Sequence, residues 1–321
     1  MAAIQFQLRQ ATHSDLPEIA ALISEGLSFD GLTIVQTVEE LEEEFGGPYC
    51  FLDQDVMVAE HESHIIGVGY TYFLPSDVKE ERCYTFGTVK PDFRRNGVGT
   101  EILKWTTARA EKLLRSTNRT IPKYLRSDVG TSNTSASFLF QRFNMHPVRW
   151  NEDLIIDLNQ SPEVFVTPGY CVIPWDSSRD EEARTVKDQA FMDHWGSTPT
   201  SEEGWEQLVH GSTAKLDQSF FALDSDNNIV GLLLSHRYES DDEILGKRIG
   251  WIDKLATLSE HRGKSIGRSL ITHALAAYRR DGLTHAALDV DTENPTGAYG
   301  LYTAVGFSTF RGSVTYERTI Q

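Results

Sequence analysis

The sequence predicts an α/β (α+β) protein of two similar domains, each a sheet flanked by helices. Three observations lead there. The chain has 321 residues, room for about two domains at roughly 150 residues each. One order of strands and helices runs along it twice. A basic, glycine-bearing turn stands between a strand and a long helix in both halves, with Arg262 following Arg94 by 168 residues and Asn294 following Asn133 by 161. A single large domain whose turns rhyme by chance is the alternative; a repeated element order is more economically two copies of one domain.

In the first half, Ile4 to Gln10 reads as a strand, Thr12 to Asp15 as a cap, and Leu16, Ile19, Ala20, Leu22 and Ile23 as the apolar stripe of a helix. A second helix carries Glu39 to Phe45. Val56 to Phe73 alternates and turns like a hairpin, with Glu60 to His64 as its polar loop. The strand Cys83 to Val89 ends at Pro91 and the turn Arg94-Arg95-Asn96-Gly97-Val98-Gly99. That turn opens a long helix with apolar Ile102, Leu103, Ala110, Leu113 and Leu114. A strand (124–129), a short helix (135–143) and a strand pair reaching Leu158 complete the expected first domain, residues 1–160.

Residues 161–169, with Pro162 and Pro168, read as a linker. The expected second domain, 170–321, repeats the order: a strand near 170–173, helical segments within 180–209, and a hairpin from Phe220 to Tyr238 turning at Asp226-Asn227-Asn228. Strand 249–258 runs into His261-Arg262-Gly263-Lys264-Ser265-Ile266-Gly267-Arg268. A helix to Arg280, a strand (286–290), a helix (297–305) and a last strand pair follow.

Composition narrows the function. With 40% hydrophobic and 24% charged residues the chain is expected to pack as a globular protein. Its 47 acidic against 30 basic side chains, a formal net of −17, repel polyphosphate backbones and anionic lipid. No nucleic-acid or membrane partner is expected. Cys50, Cys83 and Cys171 lack CxxC spacing, so neither a disulfide framework nor a metal site is indicated. The start has no basic stretch with a continuous apolar core, and no 18 apolar residues run together. A cytoplasmic protein is expected.

The repeated turn has the geometry of an anion site. Backbone N–H groups at a helix start lack intrahelical partners and lie at the positive end of the macrodipole, where a phosphate can accept from them. Arg94, Arg95, Lys264 and Arg268 add local positive charge. The competing reading is a tight turn that only packs. A Walker GxxxxGK[ST] pattern is absent, and a Rossmann GxGxxG would follow the first strand of a βαβ unit; here the turn follows the fourth strand, after an antiparallel hairpin. ATP and NAD are disfavoured.

Strand, helices, hairpin, strand, R-x-x-G-x-G turn, helix, strand and then N…A…LY…GF resembles the GNAT superfamily of acyl-CoA N-acyltransferases. The first copy supplies Arg94, Gly97 and Gly99; the second supplies Arg262 and Gly267, with Ser265 where the first glycine is usual. Asn294, Ala298, Leu301, Tyr302, Gly306 and Phe307 match the helix after strand five. The phrases AFMDHWG and ENPTGAYGLY are similar to those of tandem, mycothiol-synthase-like members. The resemblance implies two tandem GNAT domains, each a mixed, mainly antiparallel sheet, and transfer of an acetyl group from acetyl-CoA (coenzyme A) to an amine.

It further implies that the pyrophosphate sits on the turn of residues 262–268 and that the pantetheine arm lies beside strand four at Leu255, Ala256 and Thr257, with Asn294 holding the cofactor's amide or capping a helix that begins at Pro295. In the first copy the corresponding positions are Val89 and Arg94, Arg95, Asn96, Gly97, Val98 and Gly99. A primary ammonium has a pKa of about 10.4 and must lose a proton before attacking, while a leaving thiolate with a pKa of about 8.5 gains from an acid. Asp253 stands where many members carry a glutamate base, and alternation is expected to place it on one face with Leu255 and Thr257; the competing reading is a solvent-facing carboxylate. Tyr302 matches the tyrosine that protonates the thiolate; a core-facing aromatic is its alternative. Asp193, His194 and Trp195 fall where the family's acceptor site is walled, or else lock two helices together.

The first copy departs at both catalytic points, with Thr85 for Asp253 and Phe140 for Tyr302. The N-terminal unit is therefore expected to bind acyl-CoA or to serve as scaffold, and the C-terminal unit to transfer acetyl to a small-molecule amine by direct attack through a tetrahedral intermediate. A non-catalytic acyl-CoA-binding or regulatory protein, a protein acetyltransferase and mycothiol synthase proper are the competing functions. A monomer and a homodimer are both compatible with the sequence.

Overall fold

The computed structural model describes residues 4–294 and 297–321. The chain divides into two compact units, Met1–Arg149 with Ser313–Gln321, and Trp150–Gly312. Unit 1 holds β1 (Gln7–Gln10), α1 (Leu16–Phe29), α2 (Val38–Phe45), α3 (Leu52–Asp55), β2 (Val56–His61), β3 (His64–Leu74), β4 (Glu81–Val89), α4 (Val98–Ser116), β5 (Lys123–Gly130) and α5 (Thr134–Arg142). The next strand, β6 (His146–Asp157), leads into unit 2. There follow β7 (Cys171–Pro174), α6 (Asp180–Ala190), α7 (Glu202–His210), β8 (Phe220–Leu223), β9 (Ile229–Arg237), α8 (Asp242–Leu245), β10 (Ile249–Thr257), α9 (Ile266–Arg280), β11 (His285–Asp291), α10 (Ala298–Val305) and β12 (Ser308–Ile320).

The two units have matching sheets. Unit 1 runs β1-β2-β3-β4-β5 and unit 2 runs β7-β8-β9-β10-β11, antiparallel except for the parallel pairs β4–β5 and β10–β11. The sixth strand of each is exchanged. Ser313–Ile320 of β12 pairs with β5 in unit 1, and Asn151–Asp157 of β6 pairs with β11 in unit 2. The contiguous division 1–160 and 170–321 expected from the sequence thus differs from the observed one at both ends. Residues 161–169 belong to unit 2.

Local chemistry explains the elements. Thr37 and Glu40 form a capping box at the start of α2: the Thr37 hydroxyl accepts from Glu40 N at 3.2 Å, and the Glu40 carboxylate accepts from Thr37 N at 2.8 Å. At the β8–β9 turn, Asp224 Oδ1 accepts from the N–H groups of Asp226 and Asn228, each at 2.9 Å, and Asn227 adopts φ 67°. The main core of unit 2 lies between α9 and the sheet, where Leu270, Ile271, Ala274, Leu275 and Tyr278 meet Ile252 and Leu288.

One approach in that core is close enough to require glycine. A Cβ on Gly250 would lie 2.8 Å from the Tyr278 ring, which cannot move aside easily because its hydroxyl meets Ser235 Oγ at 2.7 Å and Trp251 O at 3.2 Å. Gly250→Ala is expected to cost about 1–3 kcal/mol through overpacking, seen as a fall of several degrees in melting temperature.

Candidate active site

The repeated turns superpose in conformation as well as in sequence. In unit 2, Gly263 and Ser265 have φ 75° and 64°; in unit 1, the corresponding Arg95 and Gly97 have φ 66° and 89°. Alternating left-handed residues of this kind gather successive N–H groups into a concave, anion-binding nest. Among the described residues, the N–H groups of Lys264, Ser265, Ile266 and Gly267, and those of Asn96, Gly97, Val98 and Gly99, have no hydrogen-bond acceptor. Serine at position 265 keeps the left-handed backbone without glycine's ease of adopting it.

Arg262 shapes this turn from behind. Its Nε donates to Thr257 O at 3.2 Å and its Nη2 to Ala190 O at 2.6 Å, tying the turn to the end of β10 and to the last residue of α6. Arg94 repeats the device with Val89 O at 3.1 Å, Gly26 O at 3.3 Å and the Asp30 carboxylate at 2.5 Å. This corrects the expectation that Arg94 supplies ligand charge: both guanidiniums are occupied as clamps. Exposed Arg95, Lys264 and Arg268 remain as the cations beside the nests.

The segment 161–169 lies along the start of α9. Thr167 Oγ1 donates to Ser265 O at 3.1 Å, Ser269 Oγ to Phe165 O at 2.8 Å, and Phe165 N to Thr272 Oγ1 at 3.0 Å. The Arg268 guanidinium lies 4.8 Å above the Phe165 ring. Proline-marked linker composition here describes a strap that buttresses the turn while its free amides stay uncapped.

Strand four opens beside the turn. The parallel ladder of β10 with β11 covers Ile249–Ile252 against His285–Leu288 and goes no further, although β10 continues to Thr257 against β9. Register with β9 shifts by one residue between Ile252 and Lys254, which makes Asp253 the extra residue of a β-bulge. Ile252 and Leu255, three residues apart, pack on the α9 side, whereas Ala256 joins the core formed with α6 and α7. The bulge therefore overturns the expected alternation that grouped Asp253 with Leu255 and Thr257. Unit 1 shows the same early end of its parallel ladder, at Tyr84–Arg126, without a bulge. There the Ser127 hydroxyl donates to Thr85 O at 2.7 Å and the Thr85 hydroxyl to Arg126 O at 3.4 Å, stitching the opening.

Asp253 is a quarter exposed, with 27% of its side chain accessible, and pairs with Lys254 Nζ at 2.8 Å. Burial would raise its pKa, but Lys254, His236 and Lys187 together hold it below its ordinary value. These three neighbours are invisible as a group in the sequence; only the adjacent Asp253-Lys254 pair could have hinted at them. His236 is not a competing base. Its Nε2 lies 3.1 Å from Leu208 O, which can only accept, so Nδ1 at 3.0 Å accepts from the Thr213 hydroxyl. Its pKa is lowered by burial.

Tyr302 is 7% exposed, packs edge-on to Phe307 with centroids 6.2 Å apart, and makes no hydrogen bond from its hydroxyl to a described residue. Burial pushes its phenol above the ordinary value. The corresponding Phe140 in unit 1 packs on Tyr316 at 5.3 Å. Asn294 lies in the turn before α10, its carbonyl accepting from Gly297 N at 3.4 Å. The described helix starts at Ala298 with Gly297 as its N-cap residue, and Pro295 lies outside the described residues. Of the expected acceptor wall, Asp193 is exposed, and His194 stacks on Phe191 with centroids 4.4 Å apart; Trp195 is half-buried. Among the described residues no cluster of three or more His, Cys, Asp or Glu is placed to hold a metal, and no helix is long and apolar enough to cross a membrane.

A nest of free amides at a helix start, next to a strand whose parallel ladder ends early, is the arrangement that the sequence resemblance implies for an acyl-CoA-dependent transferase, and comparison with known proteins agrees. Residues 182–307 match the Acetyltransferase (GNAT) family; this stretch is a GNAT acetyltransferase domain, and the enzyme is an acetyl-CoA-dependent acetyltransferase. Over its full length the chain is similar to the mycothiol acetyltransferase of Thermobispora bispora, with 25% identity across 98% of this chain and 99% of that protein. In fold it is similar to a GCN5-related N-acetyltransferase from Sphaerobacter thermophilus, with TM-score 0.77, 23% identity and coverage of 98% and 96%. A tandem GNAT protein from the clavulanic acid biosynthesis pathway gives TM-score 0.72, 14% identity and 99% coverage of both chains.

Proposed function

We propose that unit 2 transfers an acetyl group from acetyl-CoA to a primary amine of a small molecule by direct attack, and that unit 1 does not catalyse. The observation that carries this reading is the asymmetry at two corresponding positions: unit 2 combines the free-amide turn with Asp253 at a bulge and Tyr302, while unit 1 keeps the turn but has Thr85 and Phe140. The turn amides of residues 264–267 take the pyrophosphate, and Leu255 to Thr257 lie along the pantetheine arm. Tyr302 gives its proton to the departing sulfur, a role suited to a phenol that burial keeps protonated.

Magnitudes limit what Asp253 does. A free alkylammonium at about 10.4 and a carboxyl below its ordinary 3.8 differ by more than about six units, about 9 kcal/mol at 1.36 kcal/mol per unit. Asp253 therefore orients the acceptor nitrogen and passes its proton on through water; it does not store it. The acceptor's ammonium competes with Lys254 for the same carboxylate. The resemblance to a protein named for mycothiol supports a small acceptor, and the Asp193–Trp195 turn is the proposed wall of its site.

The test is thiol release from acetyl-CoA over a panel of primary amines, with exposed Cys171 setting a constant background. Amine-dependent release is expected, abolished by Gly267→Asp and changed less than about twofold by Gly97→Asp. The opposite pattern would refute the assigned asymmetry. Binding of acetyl-CoA with no turnover for any amine would identify a binding protein instead.

A further inference from the structure

The bulge on β10 brings together two charges that a regular strand would part. Successive side chains of a strand point to opposite faces, yet the Asp253 carboxylate accepts from Lys254 Nζ at 2.8 Å, at the one place where the register with β9 shifts. Lys254 stands opposite Leu234, which packs with Ala256 in the core formed with α6 and α7. It therefore lies on the sheet face opposite α9, the face covered by α6, whose end leads into the proposed acceptor wall at Asp193. The pair follows Ile252, where the parallel ladder with β11 ends, and directly precedes the stretch assigned to the pantetheine arm. Both side chains are part-exposed, at 27% and 29%. In unit 1, β4 has no bulge, and uncharged Thr85 and Phe86 follow Tyr84.

The pair is closed on itself. Among the described residues, Lys254 Nζ meets two acceptors, Asp253 Oδ2 and, at 3.4 Å, Asp253 O, and the Asp253 carboxylate has no donor other than Lys254. A ligand that engages one half strands the other. An ammonium drawn to Asp253 leaves Lys254 with one long main-chain bond, and a carboxylate drawn to Lys254 leaves Asp253 with no donor; either way a part-desolvated charge loses its partner. A molecule with both groups close together keeps a charge-assisted hydrogen bond on each. We propose that the acceptor of unit 2 is an amino acid, its amino group held by Asp253 and its carboxylate by Lys254, the two groups on the same or neighbouring carbons to suit a pair in contact. An amino-acid amide or a peptide N-terminus lacks the second charge. This rests on unit 2 being the transferring unit and makes Lys254 its specificity-determining residue.

The test is thiol release from acetyl-CoA by the full-length protein with L-α-amino acids that lack a thiol and with β-alanine, each beside its carboxamide, at constant ionic strength and with rates referred to the free-amine fraction. At least one amino acid is expected to exceed its carboxamide in kcat/KM at least tenfold. Lys254→Met should lower that acid-to-amide ratio at least tenfold, and Lys254→Arg should restore most of it, because a guanidinium also pairs with a carboxylate. A purely structural role for Lys254 would lower acid and amide together and leave the ratio in place. Equal use of acids and carboxamides, or a ratio that ignores Lys254→Met, overturns the proposal. If no amine releases thiol, the assigned transfer chemistry fails on its own, and calorimetric titration of the protein loaded with coenzyme A, using the same amino acids, decides the recognition. Saturable binding weakened at least tenfold by Lys254→Met leaves it standing; binding that is absent or unmoved by the substitution overturns it.

Discussion

Replacing Tyr302 with phenylalanine is expected to lower kcat for acetyl transfer about 10²- to 10⁴-fold, the range of a positioned proton donor. The KM for acetyl-CoA should change little, because the turn amides that hold the cofactor lie elsewhere in unit 2. The substitution removes one oxygen and keeps the ring that packs on Phe307, so loss of fold does not explain loss of rate. Burial holds the Tyr302 phenol above its ordinary value, so it contributes no ionisation to the rate profile below about pH 10. Asp253 lies below its ordinary value and is already ionised at pH 5. The wild-type rate should therefore rise with pH as the acceptor amine deprotonates, and Asp253→Asn should lower that curve without shifting its midpoint. Stopped-flow thiol release between pH 6 and 9.5 checks both. A rate for Tyr302→Phe within threefold of wild type would remove the phenol from the chemistry.

What the sequence made legible was local. The turn after β10 is written in contiguous residues, His261 to Arg268, between an apolar strand and an amphipathic helix, and its left-handed positions recur in the turn after β4. Ser265 preserves that conformation where a glycine is usual, so the departure changes strain more than shape. The clamp made by Arg262 was not legible, because its partners Thr257 O and Ala190 O are main-chain atoms of no particular residue type. The bulge at Asp253 was hidden for another reason: one extra residue leaves composition untouched while reversing which face every later side chain takes. The exchanged strands were the least accessible. Strand propensity marks 146–157 and 308–320 as extended, but pairing partners 128 to 197 residues away leave no local trace.

That exchange has a large consequence for stability. Ending the chain at Gly312 should unfold unit 1 although no residue before 150 is touched. The removed strand places Val314, Tyr316 and Ile320 in the core with Leu125 and Met145, about 1.5–3 kcal/mol for each buried side chain. It also carries Glu317, whose carboxylate accepts from Arg126 Nε at 2.8 Å. Arg126 is 1% exposed and would lose Glu317 while keeping Glu80; breaking a buried pair from one side costs about 3–5 kcal/mol. Together these losses match the whole stability of a typical domain, about 5–15 kcal/mol. The truncated chain should show one lost thermal transition and rapid proteolysis within 1–149. A synthetic peptide of residues 308–321 should restore protection in trans, because the eight ladder pairs from Ser313–Gly130 to Ile320–Lys123 need no covalent link to form. Substituting Glu317→Gln in that peptide should weaken rescue, since the amide returns a hydrogen bond to Arg126 but not the charge. Unit 1 remaining folded without the strand would show that β5 tolerates an open edge and that Arg126 does not depend on Glu317.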